Sequence, residues 1–223
     1  MFGVPLYVWL LFLLSAALFI LFPQIDLDAA ALFYNGTFYL RENPLVQFFY
    51  HFGPLFALAV GLLSLIAVAI GMFRHQERIF GIRRRVWSYL LLSLLIGPGL
   101  IVNLFFKEHW GRARPVQVTQ FGGEKRFTPA FVVAHQCRHN CSFTCGHASS
   151  GFYFIAPALL ERKRRRRRLY VSLAILFGLL IGLGRMAQGG HFLSDVVFSL
   201  FFVAIPTLML YHYMLGREHA DVS

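Results

Sequence analysis

Charge is scarce in this chain. Of its 223 residues 14% are charged and 57% hydrophobic, whereas an ordinary soluble domain carries about 25% charged residues. That deficit excludes a water-soluble domain and points to a membrane protein. Cysteine is scarce too: there are three, none in a Cys-x-x-Cys pair, which excludes a zinc ribbon and a thioredoxin-like redox site. No linker or internal repeat divides the sequence, so residues 1–223 read as a single domain. The only low-complexity run is Arg162–Arg168.

What is abundant is apolar length. Six segments approach the roughly 20 residues that a bilayer-spanning helix needs: Val4–Phe22, Pro54–Phe73, Val86–Phe106, Ala148–Leu160, Leu169–Ala187 and Phe192–Leu215. The first lacks the basic start and small-residue cleavage site of a signal peptide and is kept as a span. The fourth is short. The expected fold is an all-α integral membrane bundle of six transmembrane helices. Gly97-Pro98-Gly99 predicts a bend in the third span, and Gly178 with Gly182 predicts close helix packing in the fifth.

The net charge of +11 is unevenly distributed. Arg74–Arg85 holds five arginines, Arg162–Arg168 is seven basic residues in a row, and Arg217 lies in the tail, together 13 of the 21 Lys and Arg. All three follow even-numbered spans, so they share one side, and the positive-inside rule makes that side cytoplasmic. The basic run is then a topology anchor against anionic headgroups, and a nucleic-acid partner is not called for. Of the two longer connections on the opposite side, Pro23–Gly53 has an amphipathic character suited to the interface. Its Asp26, Asp28, Arg41 and Glu42 form no recognisable reactive cluster.

The remaining basic residues gather where spans three to six meet the outer face. Lys107, Arg112 and Arg114 follow the third span, His147 opens the fourth, Arg185 ends the fifth, and His191 and Asp195 open the sixth. Snorkelling to headgroups explains Lys and Arg; it does not explain two histidines and an aspartate, and ionisable groups at membrane depth are functional by default. Lys and Arg make a phosphate cradle. Gly146 allows a backbone N–H to face an anion at a helix start. His191 and Asp195, four apart, share one helix face, so the carboxylate can fix the imidazole tautomer and leave the other nitrogen as nucleophile. His147 is available to protonate a leaving oxygen. The set lacks the paired acids of a Mg²⁺ site, which predicts phosphoryl transfer without metal or other cofactor.

Lys107-x6-Arg114-Pro115, Thr144-Cys145-Gly146-His147 and Gly184-Arg185-x5-His191-x3-Asp195 closely resemble the three-part signature of the type-2 phosphatidic acid phosphatase superfamily, KxxxxxxRP, PSGH and SRxxxxxHxxxD. The resemblance covers nearly the whole chain. It implies an active site at the periplasmic membrane boundary, a phosphohistidine intermediate on His191, His147 as acid, and phosphate held by Lys107, Arg114 and Arg185. Two departures stand out. Cys145 replaces the serine of PSGH, whose hydroxyl and backbone usually touch phosphate, and Gly184 replaces the serine of SR. Neither alters a bond-making residue.

Cys137 and Cys141 are placed to form a small-loop disulfide if the outer compartment is oxidising, although Cys145 could compete. His135 and His139 with Cys137 and Cys141 could also mimic a metal site, but the pattern is crowded and lies next to a phosphate motif. The expected function is hydrolysis of a lipid phosphate monoester or diphosphate by a monomer in a bacterial inner membrane, with lipid A favoured by the resemblance of the Gln136–Ser149 stretch to family members of that kind. Undecaprenyl diphosphate, phosphatidylglycerol phosphate and phosphate transfer from lipid to lipid are the alternatives. A transporter is disfavoured because the charges sit at one face and not at the midplane.

Overall fold

A computed structural model describes residues 3–220, with side chains as far as Gly216; the Arg217 side chain, counted above, lies outside the described residues. Helices dominate. α1 (Leu6–Leu21) breaks at Pro23 and turns through 85° into α2 (Gln24–Ala31). α3 (Pro44–Phe73) begins where Asn43 Oδ1 accepts from the Leu45 amide at 3.0 Å, with a proline in the first turn, where a missing N–H costs nothing. A two-residue-per-strand hairpin, β1 (Arg78–Ile79) with β2 (Ile82–Arg83), leads into α4 (Arg84–His109). After an outer connection come α5 (Gly146–Phe152), α6 (Ile155–Ala158), α7 (Arg164–Ala187) and α8 (Leu193–Ala220).

Among the described residues four helices are long and apolar enough to cross a membrane: α3, α4, α7 and the Leu193–Gly216 part of α8. The bent α1–α2 pair would make a fifth. α1 alone has 16 residues, about 24 Å at 1.5 Å per residue, short of a ~30 Å hydrocarbon core. The apolar run Ala148–Leu160 falls within two short helices, α5 and α6, and most of it is buried among the other helices. An apolar stretch of roughly 10–14 residues more often belongs to a protein core than to a lipid-facing span.

The packing expected of the small residues is visible at α5. A Cβ placed on Gly151 would come 2.7 Å from the Gly178 Cα, and one on Gly182 would strike the Val196 side chain. Those two glycines therefore let α7 close on α5 and α8. Gly97, Pro98 and Gly99 lie in a stretch of α4, Leu95–Phe106, that winds as a π-helix. Asn103 Nδ2 donates to the Pro98 carbonyl there at 2.7 Å.

Arg84 and Arg164 open α4 and α7, whereas Lys107 and Arg185 lie in their closing turns. The two arginine clusters thus occupy one end of the bundle. The candidate site residues occupy the other, roughly 30 Å away.

Candidate active site

His191 lies between α7 and α8 and is 1% exposed. Its Nδ1 sits 2.7 Å from the Ser142 carbonyl and 3.5 Å from Asp195 Oδ2. A carbonyl can only accept, so Nδ1 carries the hydrogen. Nε2 is then an unprotonated nitrogen, buried and without a hydrogen-bond partner among the described residues. Burial holds the imidazole pKa down to about 3, with the Arg185 charge adding to the effect and Asp195 opposing it. Position 142 supplies the orienting oxygen through its main chain, which a sequence pattern cannot reveal because every residue has a carbonyl. Asp195, expected to orient the ring, stands at the outer limit of hydrogen-bond range from the same nitrogen.

Asp195 is itself fixed from three sides. Ser142 Oγ donates to Oδ2 at 2.5 Å, the Phe192 amide donates to the same oxygen at 2.8 Å, and Arg112 Nη1 donates to Oδ1 at 2.6 Å. Arg112 is fully buried and does not join the cradle in which the sequence grouped it. Its Nη2 donates to Asp26 Oδ2 at 2.7 Å, its Nε to the Thr128 carbonyl at 2.8 Å, and its guanidinium lies 4.4 Å from the Phe192 ring centroid. Asp26, which the sequence left without a role, also accepts from the Ser194 amide and hydroxyl at 2.8 and 2.6 Å. The reorientation at Pro23 brings α2 to the start of α8, and two carboxylates share one guanidinium there. Both carboxylates thus take a charge-assisted bond from the same buried guanidinium, close to His191.

Of the phosphate-binding candidates, Arg185 and Lys107 act on the His191 ring through charge. Lys107 ends the π-helical stretch of α4 and is buried; its Nζ donates to Asn140 Oδ1 at 2.7 Å. Arg114 donates from Nη2 to the Asn140 carbonyl at 2.8 Å. Arg185 donates to Gln188, and its Nε has no partner among the described residues. Two glycines make room for these cations. A Cβ on Gly146 would come 3.2 Å from Lys107 Cε, and one on Gly190 would come 2.9 Å from Arg185 Cζ. Cys145 is fully buried, and its amide donates to the Asp195 carbonyl at 3.2 Å. Burial pushes its thiol pKa up, so it stays neutral.

His147 stacks on Tyr50, with centroids 4.4 Å apart and planes 19° off parallel. The Arg185 guanidinium lies 4.8 Å from the centroid of the same ring. Tyr50 is another residue that the sequence did not single out, because it sits in an aromatic-rich stretch near the start of α3. Burial, followed by the charges of Arg185, His191, Lys107 and Arg114, holds the His147 pKa down to about 3. All five groups therefore share one electrostatic neighbourhood. A polar opening of about 310 Å³ includes Arg41, Arg114, Arg185 and Gln188 in its lining. A mostly apolar groove of about 370 Å³, lined by residues such as Pro54, Leu58, Leu94 and Pro98, reaches Lys107 and His147.

Cys137 and Cys141 are joined as a disulfide, and Cys145 stays free. His139 lies 3.0 Å from Glu108. Among the described residues no three His, Cys, Asp or Glu side chains converge as a metal site.

Residues 86–219 match the family model described as the PAP2 superfamily. The lipid A 4'-phosphatase of Francisella tularensis subsp. novicida (strain U112) is 38% identical over 203 residues, 90% of each chain. A lipid A 4'-phosphatase of Rhizobium leguminosarum is 43% identical over 105 residues, 47% of this chain and 45% of its own. Phosphatidylglycerophosphatase B of Bacillus subtilis (strain 168) is 25% identical over 140 residues, 60% and 57% of the two chains. No solved structure matches the chain at a significant level.

Proposed function

The chain belongs to the PAP2 superfamily, and on that footing we propose that it is a lipid phosphatase that removes the 4'-phosphate of lipid A at the periplasmic face of the inner membrane. The observation that carries the chemistry is His191 Nε2: buried, unprotonated, unpartnered, and on a ring that feels the charges of Arg185 and Lys107. Nε2 attacks phosphorus as the ester P–O bond breaks, giving a phosphohistidine. His147 protonates the departing sugar oxygen, then takes a proton from the water that attacks the intermediate and releases inorganic phosphate. His147 must be protonated for the first half. The phosphate dianion raises its pKa on binding by offsetting the cations that hold it low. Lys107, Arg114 and Arg185 neutralise the equatorial oxygens, with the amide of Gly146 beside them, and no step calls on a metal.

The layout supports a lipid substrate: a phosphate at the cations, a polar headgroup in the opening near Arg41, and acyl chains along the apolar groove between α3 and α4. The preference for lipid A over phosphatidylglycerol phosphate rests on the Francisella relative, which is matched over nine-tenths of its length at the higher identity. The six-span topology, with Ala148–Leu160 crossing as a broken helix inside the bundle and the arginine clusters cytoplasmic, belongs to the same reading, as does a single domain acting as a monomer.

The test offers purified protein, with excess chelator, lipid A labelled at the 4' or the 1 position and, separately, phosphatidylglycerol phosphate. Release from the 4' position, with an acid-labile, base-stable phosphoprotein trapped on rapid quench, is the expected result. Turnover of phosphatidylglycerol phosphate alone would overturn the substrate assignment, and turnover without the labelled protein would overturn the mechanism.

A further inference from the structure

The segment that precedes His147 makes contacts that the catalytic residues alone do not call for. Asn140 touches two of the phosphate-binding cations at once: its side-chain oxygen accepts from Lys107 at 2.7 Å and its main-chain oxygen accepts from Arg114 at 2.8 Å. Two residues on, Ser142 orients His191 through its carbonyl. The Asn140 backbone is left-handed, at φ 52°, a conformation that asparagine tolerates better than most residues. The segment is tied down on every side. Cys137 and Cys141 are bridged across it. Glu108 accepts from the Asn140 amide at 3.2 Å and contacts His139 at 3.0 Å. The amides of Cys141 and Ser142 donate to the carbonyls of Lys107 and Arg112 at 3.0 and 2.9 Å.

We propose that Asn140, clamped by the Cys137–Cys141 bridge and Glu108, is a positioning residue that sets the spacing of Lys107 and Arg114 for the substrate phosphate. Like charges held close with no anion between them repel, and long side chains lose rotamer freedom when ordered. Two carbonyl dipoles from one residue offset both costs before the substrate arrives. Each cation keeps donors for phosphate, because an ammonium has three and a guanidinium five, and Asn140 uses one of each. The same short segment thus fixes the phosphate ligands through Asn140 and the nucleophile through Ser142. The opposite possibility is that Asn140 is a placeholder that phosphate must push aside.

This rests on the phosphate-cradle reading above, and inorganic phosphate probes it without turnover. In detergent-purified full-length protein, phosphate should raise the unfolding temperature of the wild type. No rise at any concentration would overturn the cradle itself, and the proposal with it. Asn140→Gly keeps the main-chain carbonyl and the left-handed backbone and removes the side-chain oxygen. The phosphate concentration for half the shift should then increase by about tenfold, with KM for the lipid rising in parallel. Cys137→Ser with Cys141→Ser releases the clamp and should change the phosphate response in the same direction, so that a poorly folded Asn140→Gly protein leaves the proposal testable. Tighter phosphate binding in either variant would make Asn140 a placeholder and overturn the proposal, as would an unchanged response in both.

Discussion

The two ends of this molecule handle positive charge in opposite ways. At one end Arg164, Arg165 and Arg166 open α7 exposed. At the other end, Lys107, Arg112 and Arg185 are each at most 8% exposed, and each hydrogen-bonds a named side chain. Exposed arginines are free to snorkel and set topology by number alone. Buried cations must be compensated individually, so their positions carry information. Even two neighbours at the same end divide this way: Arg112 is locked between two carboxylates, while Arg114 reaches the polar opening.

The strongest way to break this comparison is at the imidazole on which Arg185 and Lys107 act. His191→Ala should reduce turnover on the order of 10⁶-fold, since removing a covalent nucleophile leaves only binding and charge stabilisation. The protein should still bind inorganic phosphate in a thermal-shift assay, because the cradle stays. Residual turnover within a hundredfold of wild type would mean that the phosphoryl group is accepted elsewhere.

Next in size is the same substitution made at both ends. Arg112→Gln removes one partner from a buried pair and should cost about 3–5 kcal/mol of stability. Arg165→Gln, on the exposed run, should stay within about 0.5 kcal/mol and leave turnover unchanged. Denaturant or thermal unfolding in one detergent measures both. Equal effects would remove the distinction between a topology charge and a structural one.

Acid sharpens the contrast further, because two imidazoles sit among the cations of the site. His147 and His191 are held down to about 3 in the folded protein, against about 6.5 in an unfolded chain. Below 6.5 the unfolded chain takes up protons that the folded one refuses. Stability from these two groups is therefore complete above pH 6.5 and lost as pH falls towards 3. Melting temperatures from pH 8 to pH 4 should fall across that window, and bound phosphate should move the onset of the fall to lower pH by adding native-state stability. A melting temperature flat between pH 7 and 4 would contradict the burial of these imidazoles.

Several features were legible in the sequence because they depend on chemistry at fixed spacing. The long spans follow from apolar length, and Lys107, His147, Arg185 and His191 from being costly residues at one depth. The rest was hidden for specific reasons. Asp26 and Arg112 are 86 positions apart, and only the sharp turn at Pro23 joins them. The orienting oxygen on His191 belongs to a main chain. Tyr50 lies in a stretch where aromatic residues are common, and nothing marks the one that stacks on His147. The run Ala148–Leu160 reads the same whether lipid or protein surrounds it, and here protein does.

The smallest expected effect concerns the position where this chain departs from its family's signature. Cys145 has a serine as its usual counterpart. Its amide donates to the Asp195 carbonyl, and its own carbonyl accepts from Ser199 Oγ at 3.0 Å, so the main-chain links that tie the start of α5 to α8 do not involve the side chain. The thiol is fully buried and neutral, which makes it neither a rival nucleophile nor a strong donor. Cys145→Ser should therefore preserve turnover or raise it modestly, because a hydroxyl bonds phosphate better than a thiol. Without phosphate, the same hydroxyl has to find a partner in a buried site or cost about 1–3 kcal/mol. The two effects separate in one experiment. Thermal stability should drop in the apo protein and recover on adding phosphate, while kcat holds. A tenfold or larger loss of kcat, equivalent to about 1.4 kcal/mol in the barrier, would show that the sulfur itself shapes the site.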